Sequence, residues 1–196
     1  MELNPLFEAI DEANAEDPRK LEHEGQQWPY ELLYGSRMSA RLDSFAPQAS
    51  ICLKIAARAQ HIRRWEIPRS SFPLGKRGYY KWREELKKFH AKLVSQLMEE
   101  QGFSTTEQAR VSLLLSKKQL KTDEESQMLE DVIYLVFLEY YLGEFAEKGY
   151  SEEKLIDILR KTWKKMSDKA RDKAIQLDLS DELKAVVHKA LSKNTA

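Results

Sequence analysis

Two histidines and one aspartate have the types and settings from which a reaction centre can be built. His90 has Leu86 four residues before it and Leu93 three after it. It therefore faces the interior of a helical protein, where its ring nitrogens need partners. Asp131 stands between Leu129 and Val132, in the most apolar stretch of the chain. A carboxylate so placed, like its neighbours Glu130 and Glu139, is either paired or coordinated, because an isolated buried charge is strongly unfavourable. His61 differs. At 100° per residue it lies about 140° from the centre of its helix's apolar face, in the polar stripe Lys54, Arg58, His61, Trp65. Three separate helices would supply these groups, as helical bundles do for metal sites, and His with carboxylate suits a divalent transition metal. His61, His90 and Asp131 are thus candidate metal ligands, while the other reading makes His90 and Asp131 core polar groups bonded to each other or to basic residues.

Charge points to the same region. The chain of 196 residues is neutral, with 32 basic and 32 acidic residues. Between residues 54 and 92, however, twelve basic residues face only Glu66, Glu84 and Glu85, whereas the first 31 residues hold nine acids against Arg19 and Lys20. Trp65, Tyr79, Tyr80 and Trp82 are interleaved with the basic groups. Arginine forks pair with phosphate and aromatic faces stack on bases, so this segment suits a phosphate-bearing ligand or nucleic acid. Arg58, Arg63, Arg64, Arg69, Lys76, Arg77, Lys81 and Arg83 are the candidate ligand-binding residues. A solvated helix face paired with the acidic N-terminal segment is the other reading.

Other chemistries find little support. No Gly-rich phosphate loop, HExxH, CxxC or GxSxG occurs, and the lone Cys52 lies on an apolar helix face where a thiol is usually inert. One cysteine makes neither an internal disulfide nor a thiolate zinc cluster. The longest run without a charged or small polar residue is Val132 to Leu138, far short of a membrane span, and the first residues do not resemble a signal peptide. A soluble, cytoplasmic protein without a membrane partner is expected.

The elements that must position these groups all read as helix. Apolar residues recur at three- and four-residue spacing and no stretch alternates like a strand. A helix from Asn4, with Pro5 at its first position, ends before Asp17-Pro18. Residues 19–28 read as a connector, and Pro29 to about Phe45 as the next helix. Ser50 to Trp65 carries Ile51, Cys52, Ile55, Ala59 and Ile62 on one face. A long helix from about Gly78 to Gln101 buries Tyr79, Trp82, Leu86, Phe89, Leu93 and Leu97. Capping boxes at Ser104/Glu107 and Thr122/Glu125 open two more, and Ser151, Ser167 and Ser180 cap three others, before a polar tail from Ser192 to Ala196. The fold expected is an all-α, single-domain multi-helix bundle around a buried central helix at about 123–148. Residues 1–178 form the domain, and 179–196 the last helix and tail.

Several segments carry a family likeness. Ala56-Ala57-Arg58-Ala59-Gln60-His61-Ile62-Arg63-Arg64-Trp65-Glu66-Ile67-Pro68-Arg69, Gly78-Tyr79-Tyr80-Lys81-Trp82-Arg83 with Phe89-His90, Leu129-Glu130-Asp131 through Phe137-Leu138-Glu139, and Leu155 to Trp163 closely resemble the domain-of-unknown-function family 4202. The resemblance runs from about Leu6 to Ala174 and implies no activity. More distantly, the order of features is similar to the HD phosphohydrolase fold, whose metal site uses an early His, a His-Asp pair on the next helix and a late Asp. Here the pair reads Gln60-His61, the early His is Tyr34, Asp131 falls where the late Asp would be, and His90 where many members carry a further His. The expectation is an HD-like domain that binds a phosphate-containing ligand, such as a nucleotide. If it is catalytic, the reaction implied is metal-assisted phosphoester hydrolysis, with His61, His90 and Asp131 as metal ligands or as acid and base. The alternative is a non-catalytic module binding RNA or an acidic partner through segment 54–92.

Overall fold

Serine hydroxyls open five of the ten α-helices among the described residues. Those of Ser50, Ser104, Ser151 and Ser167 accept hydrogen bonds from the backbone N–H groups of Leu53, Glu107, Lys154 and Ala170, satisfying donors that a helix N-terminus leaves orphaned. Ser180 does the same for Leu183. The computed structural model describes residues 3–120, 122–147 and 151–192; the tail at 193–196 and Lys148 lie outside them. Among the described residues are ten α-helices: α1 (Asn4–Ala15), α2 (Tyr30–Phe45), α3 (Ile51–Arg58), α4 (Gly75–Glu100), α5 (Thr105–Ser116), α6 (Glu124–Val136), α7 (Leu142–Glu147), α8 (Glu152–Trp163), α9 (Asp168–Ile175) and α10 (Asp181–Ser192). The protein is all-α in class, and no described helix is long and apolar enough to cross a membrane.

The chain divides into two compact units, residues 1–129 and 130–196. In the first, α3 packs against α1, α2 and α5, and α4 against α1 and α5. Leu53, Ile55, Ala56 and Ala57 of α3 are fully buried, and its alanines let neighbours approach closely. Gly35 of α2 is one such approach, since a Cβ there would stand 2.8 Å from the Arg58 carbonyl oxygen. Leu6, Ile10, Met38, Leu42, Val94, Met98 and Leu114 complete this core. In the second unit α8 packs against α10, over a core that includes Leu138, Leu159, Met166, Ala170 and Ala190.

Local readings are corrected in five places. Residues 20–29 form a β-hairpin, β1 (Lys20–His23) antiparallel to β2 (Gln26–Pro29), with Leu21 opposite Trp28. Glu24 and Gly25 have φ of 52° and 75°, as a two-residue type I′ turn needs. The strands are largely polar, so no alternation announced them. The helix expected over 50–65 stops at Arg58. The Thr122 cap is replaced by Asp123, whose carboxylate accepts from Ser126 N–H at 2.7 Å. In α4 the buried row is Gly78, Trp82, Leu86, His90, Val94 and Met98, a strict four-residue repeat, so Tyr79, Phe89, Leu93 and Leu97 fall off it. The helix expected over 123–148 contains one π-helical turn, Phe137–Tyr141, between α6 and α7.

Candidate functional site

A turn, not a helix, carries His61. Arg63 adopts φ of 48° and its N–H donates to Asn14 Oδ1 of α1 at 3.0 Å. The chain has already left α3 at Arg58, so the helical angle that put His61 on the polar side no longer applies. Its side chain is 22% exposed. One ring face stacks on Tyr34 of α2, with centroids 4.2 Å apart and planes within 14°.

Glu31 reaches this ring from the first turn of α2 and is itself held from behind. Arg19 Nε and Nη2 donate to Asp17 at 3.0 and 2.7 Å, and Nη2 also to Glu31 Oε1 at 2.8 Å. Asp17 Oδ2 accepts from the Glu31 backbone N–H at 3.1 Å. Thus anchored and 1% exposed, Glu31 places Oε2 3.3 Å from His61 Nδ1. On the other side Arg64 Nη1 lies 2.9 Å from His61 Nε2. A guanidinium can only donate. Nε2 is therefore the bare, accepting nitrogen, and the ring proton sits on Nδ1, facing Glu31. Burial holds His61 well below the usual histidine range, with the fields of Arg64, Lys117, Arg83 and Arg19 acting in the same direction. Burial also raises the Glu31 carboxyl, against the pull of Arg64 and Arg19.

Arg64 in turn lies over the Trp82 ring, 4.8 Å from its centroid, and the Trp82 indole N–H donates to the Ile67 carbonyl at 2.8 Å. His90, on the buried row of α4, is 4% exposed. Its ring centre is 6.1 Å from that of His61, and its Nε2 is buried without a hydrogen-bond partner. Burial first, then His61 and Arg64, keep it well below the usual range too. The site thus holds two neutral imidazoles and a buried carboxylate, among cations from four parts of the first unit.

The third expected member lies elsewhere in the chain. Asp131 belongs to the second unit, where its Oδ1 and Oδ2 accept from the Ser167 N–H and hydroxyl at 2.9 and 2.6 Å, securing the start of α9. Glu130 there accepts from Tyr134 at 2.6 Å. Among the described residues no three His, Cys, Asp or Glu groups are arranged to hold a metal ion, and Arg64 takes the Nε2 lone pair that a metal would need. This donor set does not fit a divalent cation.

The basic residues divide by role. Arg58 grips Asp11 with two hydrogen bonds, Arg63 pairs with Glu16 and Glu66, and Arg69 donates to the Phe72 and Pro73 carbonyls at 2.9 Å each; these three hold the fold. Arg64 joins the histidines, and Arg83, bonded to the Tyr79 hydroxyl at 3.2 Å, acts on them through its field. Lys76, Arg77 and Lys81 border a separate surface hollow. Glu31 and Arg19 were missed as site residues because an acid in a first turn and a base in a connector look ordinary.

A family model described as a domain of unknown function, DUF4202, matches residues 4–187. No curated protein and no solved structure matches the chain.

Proposed function

The chain belongs to the DUF4202 family, a domain of unknown function, and from its geometry we propose that the first unit binds a phosphate-containing small molecule, of which nucleotides are one class, at the exposed edge of His61. The observation that carries this reading is the imbalance of charge around two neutral rings. Arg64, Lys117, Arg83 and Arg19 all bear on His61, while the buried carboxylates nearby are Asp17 and Glu31, both tied to Arg19. An anion arriving at His61 meets cations in excess in a partly desolvated setting, where charge-assisted hydrogen bonds are strongest. Arg64 is the principal phosphate ligand in this reading because its planar fork matches phosphate oxygens. His90, whose Nε2 has no hydrogen-bond partner, is then the neutral group able to share a proton with the bound anion, while both ring nitrogens of His61 are already engaged.

The test is thermal denaturation and phosphorus NMR with inorganic phosphate and with AMP. Both ligands raise the melting temperature, by less as chloride is added, and Arg64→Gln removes the effect. Arg83→Gln, at a residue farther from the core, weakens it in a protein that still folds. The reading fails if neither phosphate nor AMP shifts the melting temperature, or if both variants respond like the parent.

A further inference from the structure

The second feature the fold builds with care is a hollow on the solvent side of α4, separate from the histidines. Two rows at four-residue spacing lie side by side there, Lys76, Tyr80, Glu84 and Arg77, Lys81, Glu85. Together with Phe72 from the preceding loop they border a concavity of about 900 Å³. The loop that forms its wall is held rigid. Arg69 binds the Phe72 and Pro73 carbonyls, Trp82 binds the Ile67 carbonyl, and Gly78 lies so close that a Cβ would fall 1.8 Å from the Pro73 carbonyl oxygen. The hollow's lining nevertheless presents Tyr80 at 56% exposure, and Leu74, the residue before α4, is 95% exposed. Large apolar groups held out in water on an ordered loop mark a surface that something else covers.

We propose that this hollow binds a short acidic segment of a partner protein that carries an apolar anchor residue. The charges select that partner. Lys76, Arg77 and Lys81 have no carboxylate at ion-pair distance among the described residues, whereas Glu84 and Glu85 are each neutralised by a lysine three residues on, at 2.7 and 2.8 Å. The rim is therefore basic and attracts Asp and Glu side chains. The floor is apolar and aromatic, formed by Phe72, Tyr80 and the methylene stems of the lysines, and accepts a Phe or Leu anchor. The same features disfavour a single-stranded nucleic acid. The Lys76 ammonium already stands 5.9 Å from the centre of the Tyr80 ring, and Tyr79 is tilted against that ring at 60°, leaving less of it open for base stacking. The two carboxylates in the lining, Glu84 and Glu85, can also accept the backbone N–H groups of a peptide.

The experiment is backbone amide NMR of the full chain, titrated with a short synthetic peptide in which Phe is flanked by Asp and Glu. Controls are the same peptide with Lys flanks and a short oligouridylate. The acidic peptide shifts amides within residues 72–85, and the Lys-flanked one does not. Lys76→Glu with Lys81→Glu lowers affinity about tenfold or more, equivalent to about 1.4 kcal/mol. Tyr80→Ala weakens it as well, and circular dichroism shows both proteins folded. The proposal is overturned if the acidic peptide leaves these amides unmoved, if the Lys-flanked peptide binds equally well, or if oligouridylate binds the same residues more tightly.

Discussion

His61 is held in one tautomer by partners of opposite kind, so the pair responds to substitution in a defined way. Replacing Glu31 with Gln removes the negative charge that faces the His61 Nδ1 proton and Arg19, and puts an NH2 donor in place of one of the two acceptor oxygens. The expected result is a mixture of ring tautomers in imidazole nitrogen NMR and a loss of about 2 kcal/mol or more, the usual scale for disturbing a buried ionic network. Acid acts on the same residues. His61 and His90 are held below the usual histidine range in the folded protein, so the unfolded chain takes up protons first and stability falls as pH drops below about 6.5. The slope is at most about 1.4 kcal/mol per pH unit for each ring. Urea unfolding at pH 7.5 and 5.5 measures it, and the difference should shrink in His90→Gln. A stability independent of pH over that interval would show that the rings are not buried in their neutral form.

At the scale of elements, caps and close contacts decide where helices begin and which faces they bury. Asp123 caps α6 and also receives Arg110 Nη1 at 2.7 Å; that pairing draws its carboxyl down to about 2. Stability from this carboxylate is present above its ordinary value near 4 and is lost as pH falls toward 2. Asp123→Ala should cost about 1 to 2 kcal/mol at neutral pH and little in strong acid, as chemical unfolding at the two pH values would show. Gly78 makes a different demand. Its α carbon faces the Pro73 carbonyl with no room for a methyl group, so Gly78→Ala should push the 66–74 loop away from α4. Because the Trp82 indole is bonded to that loop, its fluorescence should move to longer wavelength. The four-residue burial row of α4 has the same origin. Contacts with α1 and α5 select it, and they bring His90 inward while leaving Phe89 half-buried.

For the whole molecule, the separation of charge along the chain becomes a question of where the cations end up. Arg58, Arg63 and Arg69 are engaged within the fold, Arg64 stands at His61, and Lys76, Arg77 and Lys81 face outward, so one basic segment is divided among three settings. If the first unit takes a phosphate-bearing ligand, binding is linked to folding. A hundredfold excess over the dissociation constant stabilises by about 2.7 kcal/mol. Hydrogen exchange with saturating phosphate should then slow amides around residues 59–66 and the first turn of α2 more than those of α8 and α10.

Much of this architecture was legible along the chain because it depends on neighbours in sequence. The serine caps, the proline breaks, the all-helical class and the inward setting of His90 all rest on spacings of a few residues. The hairpin was not, since its strands are polar and its signal is a turn; nor was the turn after α3, whose Arg63 N–H is held by Asn14, 49 residues away. Asp131 and Glu31 show the same division. Both are buried acids, but a carboxylate becomes a helix cap or the partner of an imidazole according to which backbone or side chain comes within about 3 Å of it. Distances between remote segments are properties of packing, and only the tertiary structure decided them.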